Sequence, residues 1–385
     1  MKKVIYADNN ATTAVAPEVF EAMRPFFTER YGNPSSIHTF GADLSREIER
    51  ARAHVARLLG AEHDTEIVFT SCGTESDNTA IRSALASRPK RRRVVTTRVE
   101  HPAVLTLARF LEHEGYEVTY LPVDGRGLLK LEELRAAMDE NVAVVSIMAA
   151  NNETGVLLPV EEAGHIAHEF EAIFHTDAVQ AAGKVPVSLA SGAIDLLSIS
   201  GHKIHAPKGV GALYVRRGLR FRPFMLGGHQ ERGRRGGTEN VPGIVGLGEA
   251  ARLAVAHAGE EQGRVRLLRD RLEKSLLAIS DSRLNGDLER RLPGTTNVSF
   301  KKVEGEAILL HLNEHGICAS SGSACTSGSL EPSHVLRAMG VPFQFAHGSI
   351  RFSLGRFNTD ADVDAIIEVM PGIIETLREI SPFKD

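Results

Sequence analysis

Short apolar runs rich in β-branched residues alternate along this chain with segments whose apolar positions recur every three or four residues. The runs are Glu66–Thr70, Val94–Thr97, Glu117–Leu121, Val142–Met148, Ala172–Thr176, Ile194–Ile199 and Val210–Val215. Nearly unbroken apolar character of that length is the mark of strands covered on both faces. Helical spacing fills most of the intervals, over Asp43–Leu59, Glu75–Ala86, Ala103–His113, Leu131–Met138 and Val160–Phe170. Strand and helix in alternation predict an α/β fold, with a mainly parallel mixed sheet flanked by helices. One pair breaks the rhythm. The turn between Ile194–Ile199 and Val210–Val215 is too short for a parallel crossover, so these two strands are expected to be antiparallel.

The pattern changes further on. Glycine and arginine cluster over Leu226–Thr238, and a long helical pattern follows from Val245 to about Ile279. Beyond it Thr295–Phe300, Ile317–Ser320 and Ser349–Ser353 read as strands, and Glu306–Glu314, Pro332–Met339 and Asp360–Ile380 as helices. The expectation is a large domain over 15–260 and a smaller α+β domain built from 1–14 and 261–385. Within the latter, Ser320–Ser329 surrounds Cys325 with small polar residues and glycines, the composition of a flexible loop.

Bulk properties narrow the function classes. At 385 residues, 24% charged and with a net charge of −4, this is an ordinary globular composition. That balance gives no case for nucleic acid or an anionic membrane as partner. The one dense basic run, Lys90–Arg93, reads as a solvated loop. No stretch is long and apolar enough to span a bilayer, and the first residues lack the apolar core of a signal peptide. Three cysteines (Cys72, Cys318 and Cys325) without a C-x-x-C pair point away from a disulfide framework or a structural metal site. The expected compartment is the cytoplasm.

The chemistry gathers at strand ends. Lys203 follows the Ile194–Ile199 strand in a Ser-Gly-His-Lys turn. An amine withdrawn from water is more nucleophilic and can hold an aldehyde as a Schiff base, whereas a strand-end lysine can also simply reach for solvent. Gly73 and Thr74 open a helix after Glu66–Thr70, which makes an anion cradle; Thr74 with Asp77 would equally form a capping box. Asp177 ends another strand, where it can pair a protonated ring nitrogen or cap the next turn, and Gln180 could donate to a phenolate oxygen. His101 offers an imidazole for stacking or acid–base work, and Asn152 places an amide at the same edge. A wound sheet brings such ends to one crevice. Phosphate cradle, stacking ring, pyridinium counter-charge and Schiff-base lysine together fit pyridoxal 5'-phosphate. Arg351, on an expected strand of the small domain, could clamp a carboxylate or serve a structural ion pair. Cys325, on its glycine–serine segment, reads as a nucleophile that must travel.

These motifs resemble a known family over essentially the whole chain. Tyr6–Thr13, Gly32–Ser36, Thr70–Asn78, Glu100–Pro102, Asn151–Glu153, His175–Gln180, Ser200–Lys203, Gly227–Thr238 and Ser320–Ser329 are similar to those of NifS-type cysteine desulfurases. These are fold-type I pyridoxal-phosphate enzymes of the class V aminotransferase family. The resemblance implies conversion of L-cysteine to L-alanine by a homodimer, with the sulfur leaving as a persulfide for iron–sulfur cluster assembly. By the same resemblance Lys203 is the Schiff-base lysine, His101 the stacking acid–base, Asp177 the ring-nitrogen partner and Gln180 the phenolic-oxygen partner. Gly73, Thr74, Ser200 and His202 hold the phosphate, joined by Thr238 of the neighbouring subunit. Asn152 and Arg351 bind the substrate carboxylate, and Cys325 carries the persulfide to a sulfur-acceptor protein such as an iron–sulfur scaffold. The extended cysteine segment and the short stretch after the last helix resemble the nitrogenase-associated branch. The runner-up activities are those of another class V aminotransferase or of a selenocysteine lyase. A sulfur-relay module without catalysis is the non-enzymatic alternative.

Overall fold

The computed structural model describes residues 4–321 and 332–381; Cys325 and most of the Ser320–Ser329 segment lie outside the described residues. The seven expected strands form one sheet, in the order Ile67–Thr70, Gly211–Val215, Leu196–Ser200, Ile173–Asp177, Val142–Ser146, Arg93–Thr97, Glu117–Leu121. Gly211–Val215 is antiparallel to both of its neighbours, as the short lysine turn requires, and every other neighbouring pair is parallel. Val142–Ser146, Ile173–Asp177 and Leu196–Ser200 are buried at every residue. Val142–Ser146 is apolar up to its last residue, as a strand covered on both faces can be, whereas Ile173–Asp177 buries His175, Thr176 and Asp177 as well.

The helices begin and end close to where their spacing places them: Leu44–Leu59, Gly73–Ser87, Pro102–His113, Leu131–Ala137 and Val160–Glu169. Pro102 sits in the first turn of its helix, where the missing N–H costs nothing, and the His101 side chain caps it. The expected helix from Val245 starts earlier, at Val241, with Asn240 capping through the Gly243 N–H, and runs to Leu277. Its first half, through Leu253, packs in a core with the main sheet. From Val265 onward it packs in a second core with Ile5, Ala7, Phe300, Phe352 and the helix Asp360–Ile380.

In that second region Thr295–Phe300 lies between Ser349–Ser353 and a short strand, Ser282–Leu284, in an antiparallel sheet. Ile5–Tyr6 pairs in parallel with Ile317–Cys318. Neither Ile5–Tyr6 nor Ser282–Leu284 is among the elements the pattern predicts, since two or three residues are too few to show a period.

The reading of one charged stretch needs correction. Lys90–Arg93 is not merely solvated. Arg91 donates to the Val142 and Phe170 carbonyls, and Arg93 pairs with Glu117 and Asp139, so the run ties down the start of its strand. The Gly227–Thr238 loop is likewise anchored. Arg52 forms a two-pronged ion pair with Glu231 at 2.7 and 2.9 Å, and the same carboxylate accepts the Phe69 N–H at 2.9 Å. Both side chains are buried, which makes the pair costly to break from either end.

Candidate active site

Five strands that run in the same direction deliver polar stations at their C-terminal ends. Ile67–Thr70 leads to Gly73 and Thr74, Arg93–Thr97 to His101, and Val142–Ser146 to Asn152. Ile173–Asp177 supplies Asp177 and Gln180, and Leu196–Ser200 supplies Ser200, His202 and Lys203. These ends share one edge of one sheet, which is where open α/β sheets bind ligands.

The helix after the first station starts at Gly73, and its cap is Cys72, whose sulfur accepts the Glu75 N–H at 3.5 Å. The Thr74–Asp77 capping box is therefore absent. Thr74 is exposed, whereas Asp77 is turned inward and buried: its side chain has a hydrogen bond with Ser198, while Oδ1, 3.6 Å from His175 Nε2, has no hydrogen-bond partner among the described residues. A Cβ on Gly73 would stand 2.7 Å from Val179 Cγ2 and 3.4 Å from the Ser200 Cβ. The helix start thus lies against both the Asp177–Gln180 turn and the Ser200 strand end. Gly73→Ala is expected to push that turn aside and to destabilise the protein by about 1–3 kcal/mol, read by urea unfolding. An unchanged midpoint would mean that Val179 yields freely.

Asp177 is buried, and its Oδ1 accepts the Val179 N–H at 2.8 Å, so it does shape the following turn. Burial pushes its carboxyl up to about 6, against the opposing pull of the Val179 N–H and Lys203. Burial and the nearby Asp177 also hold Asp77 well above the usual carboxylate range. Two carboxylates crowded at the floor of a dry crevice favour a cation between them and the solvent. Glu100, buried beside them, is pushed up to about 8 by burial, and its Oε2 has no hydrogen-bond partner.

His101 Nδ1 accepts the Ala103 N–H at 3.1 Å, which leaves the ring proton on Nε2. Burial, then Lys203 and His334, push its pKa down to about 4, so the resting ring is neutral at pH 7. His202 is likewise pushed down to about 4, mainly by burial, and shares a 3.2 Å hydrogen bond with Thr12 Oγ1. Lys203, in a single 3-10 turn, points its Nζ at the carbonyls of Asn10 and Ala11, 2.5 and 2.8 Å away. Gln180 Nε2 donates to the same Asn10 carbonyl at 2.8 Å. The N-terminal segment thus closes over the crevice.

Arg351 lies on the Ser349–Ser353 strand, buried, with one prong on Asp8 at 2.7 Å and another on the Asn152 carbonyl at 2.9 Å. Its Nε has no hydrogen-bond partner among the described residues. The Arg351 backbone exchanges hydrogen bonds with Ser320, directly before the segment that carries Cys325. Thr238 is exposed on its own chain.

Sequence reasoning passed over Asp8, Asn10, Asp77, Glu100 and Lys184 as site residues. Asp77 had a signal. Asp77, Ala80, Ile81 and Ala84 fall at i, i+3, i+4 and i+7, and all four are buried, so the spacing places the carboxylate on the inward face. Asp8 and Asn10 lie within the Tyr6–Thr13 motif and Glu100 beside His101, but nothing in the spacing of these three or of Lys184 separates them from structural polar residues.

The class-V aminotransferase family matches residues 5–366. A cysteine desulfurase of Trichormus azollae is 63% identical over 383 residues, covering 99% of this chain and 96% of that protein. The cysteine desulfurase NifS of Azotobacter vinelandii is 57% identical, covering 98% of this chain and 94% of that one. A solved NifS-like protein superposes with a TM-score of 0.92 at 42% identity, over 97% of this chain and 100% of its own. Matched along nearly its whole length, the chain belongs to the aminotransferase class-V family and, within it, to the pyridoxal-phosphate-dependent cysteine desulfurases.

Proposed function

We propose that this protein takes sulfur from L-cysteine, leaves L-alanine, and hands the sulfur from Cys325 to an acceptor for iron–sulfur cluster assembly. What supports the reading most is the crevice itself: buried carboxylates, Asp177 among them, with a lysine, an imidazole and a helix N-terminus at a single sheet edge. The donor set fits pyridoxal phosphate. Asp177 would face the ring nitrogen, Gln180 the phenolic oxygen and His101 the ring, with Gly73, Thr74, Ser200 and His202 around the phosphate and Lys203 on the aldehyde. The cofactor, when bound, supplies an electron sink for charge that develops on the substrate's α-carbon.

The chain's own residues do the rest. Arg351 has its guanidinium held by Asp8 and the Asn152 carbonyl, with Nε–H left over. Together with the Asn152 amide it would orient the substrate carboxylate. Lys203 Nζ, among neutral imidazoles and backbone carbonyls, would move the substrate's α-proton. A Cys325 thiolate would then attack the substrate sulfur. The S–S bond forms as the Cβ–S bond breaks, the electron pair stays with Cβ, and that carbon is protonated to the methyl of alanine. Thr238, exposed on its own chain, would complete the phosphate site of its partner in a homodimer. The same reading divides the chain into 15–260 and 1–14 with 261–385. It is supported by the passage of the long helix from one core to the other between Leu253 and Val265. A nitrogenase-associated role is supported by the 57% identity to NifS.

The test is product analysis of L-cysteine, L-selenocysteine and L-alanine with a thiol reductant. Alanine and sulfide from L-cysteine are expected, and no alanine from L-cysteine would overturn the reading. Cys325→Ala is expected to keep the yellow colour and lose persulfide formation. Undiminished sulfide release from that variant would remove Cys325 from the pathway.

A further inference from the structure

Lys184 lies four residues after Gln180, and its Nζ donates to Gln180 Oε1 at 2.8 Å and to Asn10 Oδ1 at 3.1 Å. A lysine ammonium has donors and no acceptor, so only the oxygen end of a neighbouring amide can face it. With Oε1 fixed there, the nitrogen end of Gln180 must point the other way, where Nε2 meets the Asn10 carbonyl at 2.8 Å. Lys203 Nζ reaches the same carbonyl. Asn10 is held in turn by its own Nδ2, which donates to Thr295 Oγ1 at 2.9 Å and to the Asn152 carbonyl at 3.2 Å. The amide of Gln180 is thus fixed at both ends, by the Lys184 amine at Oε1 and by the Asn10 carbonyl at Nε2.

We infer that Lys184 is a positioning residue, which acts through Gln180 to keep the amide N–H, rather than the amide oxygen, toward the cofactor's phenolic oxygen. This rests on the reading that Gln180 serves that oxygen. An amide that is free to rotate by half a turn would present its oxygen there part of the time, lone pair against phenolate. Burial, then Lys203 and Arg351, push the Lys184 amine down to about 7. The enclosure that holds the amide therefore makes its holder a reluctant cation. His202 and His205 also feel the Lys184 charge, and burial keeps both imidazoles below their usual range.

The experiment reads the pH midpoint at which the visible absorbance of the cofactor-loaded protein changes. Losing a donor to the phenolic oxygen makes its protonated form easier to reach and moves that midpoint upward. Lys184→Met is expected to raise it by about 0.5–1 pH unit, a three- to tenfold change in proton affinity. Lys184→Glu, whose carboxylate would draw the amide N–H to itself, is expected to raise it at least as far, and serves if the methionine variant does not fold. Either change also alters the charge at this position, and the glutamate adds a negative one, so each is repeated in a Gln180→Leu background. A residual shift under half of the original there supports action through the amide. A full, additive shift, or no shift in the single variants, overturns it. A wild-type protein that stays colourless with pyridoxal phosphate would instead defeat the cofactor reading itself.

Discussion

Lys203→Ala is expected to bind no yellow chromophore stably and to lose alanine formation from L-cysteine on the order of a millionfold, the scale of removing a covalent-catalysis nucleophile. The amine's place makes the effect large. It sits in a 3-10 turn at the end of a fully buried strand, and its donors are aimed at two carbonyls of the N-terminal segment. Lys184 is the amine that could substitute, and it is committed to Gln180 and Asn10. The backbone of the turn does not depend on the side chain. The Gly201 N–H bonds to the Val210 carbonyl at 2.9 Å, and that of Ile204 to the Gly201 carbonyl at 3.0 Å. Thermal unfolding should therefore stay close to that of the parent protein without cofactor. Visible absorbance and alanine release after incubation with cofactor and L-cysteine check the prediction. A variant with the full visible band would show that another amine holds the cofactor.

The sheet and its helices were legible because burial on both faces leaves a continuous apolar run, and one covered helix face leaves a clear period. Thr295–Phe300, Ser349–Ser353 and Asp360–Ile380 lie where the pattern puts them. The stations at the strand ends were legible for a related reason. Polar residues that directly follow such runs sit at the sheet edge where ligands bind, which makes Asp177 and Lys203 candidates beside their structural readings as turn cap and solvent-reaching lysine. What escaped was the layer behind them. Asp77 was hidden by an alternative that local sequence favoured, a capping box that the Cys72 sulfur displaces. Glu100 was overshadowed by His101 beside it. Asn10 and Lys184 act across 174 residues of chain, and no local period reports such a contact. Arg351 was placed correctly on its strand, but its tie to Asp8 was invisible for the same reason. The element bounds follow from short-range patterning, and the electrostatics of the crevice from pairings that only the fold creates.

Those electrostatics make Asp177→Asn a change with opposite effects on stability and function. Burial raises the folded-state pKa of Asp177 to about 6, above the value of about 4 for a carboxylate in an unfolded chain. A group with a raised folded-state pKa contributes its full stability below the unfolded value and loses it as pH rises through the folded one. Ionised Asp177 therefore weakens the cofactor-free protein increasingly between about pH 4 and pH 7, and its repulsion of Asp77 adds to the cost. An asparagine keeps an oxygen for the Val179 N–H and carries no charge. The cofactor-free Asp177→Asn protein is accordingly expected to be more stable than its parent by about 1–3 kcal/mol at pH 8, with the difference gone near pH 4. Denaturant unfolding at both pH values measures it. In the loaded enzyme the sign reverses. A protonated ring nitrogen facing an amide has lost its counter-charge in a buried site, which costs about 3–5 kcal/mol. That corresponds to roughly two to four powers of ten in alanine formation. A variant that gained no stability at pH 8 would show that Asp177 is not ionised against the fold. One that kept its activity would show that the ring nitrogen does not depend on Asp177.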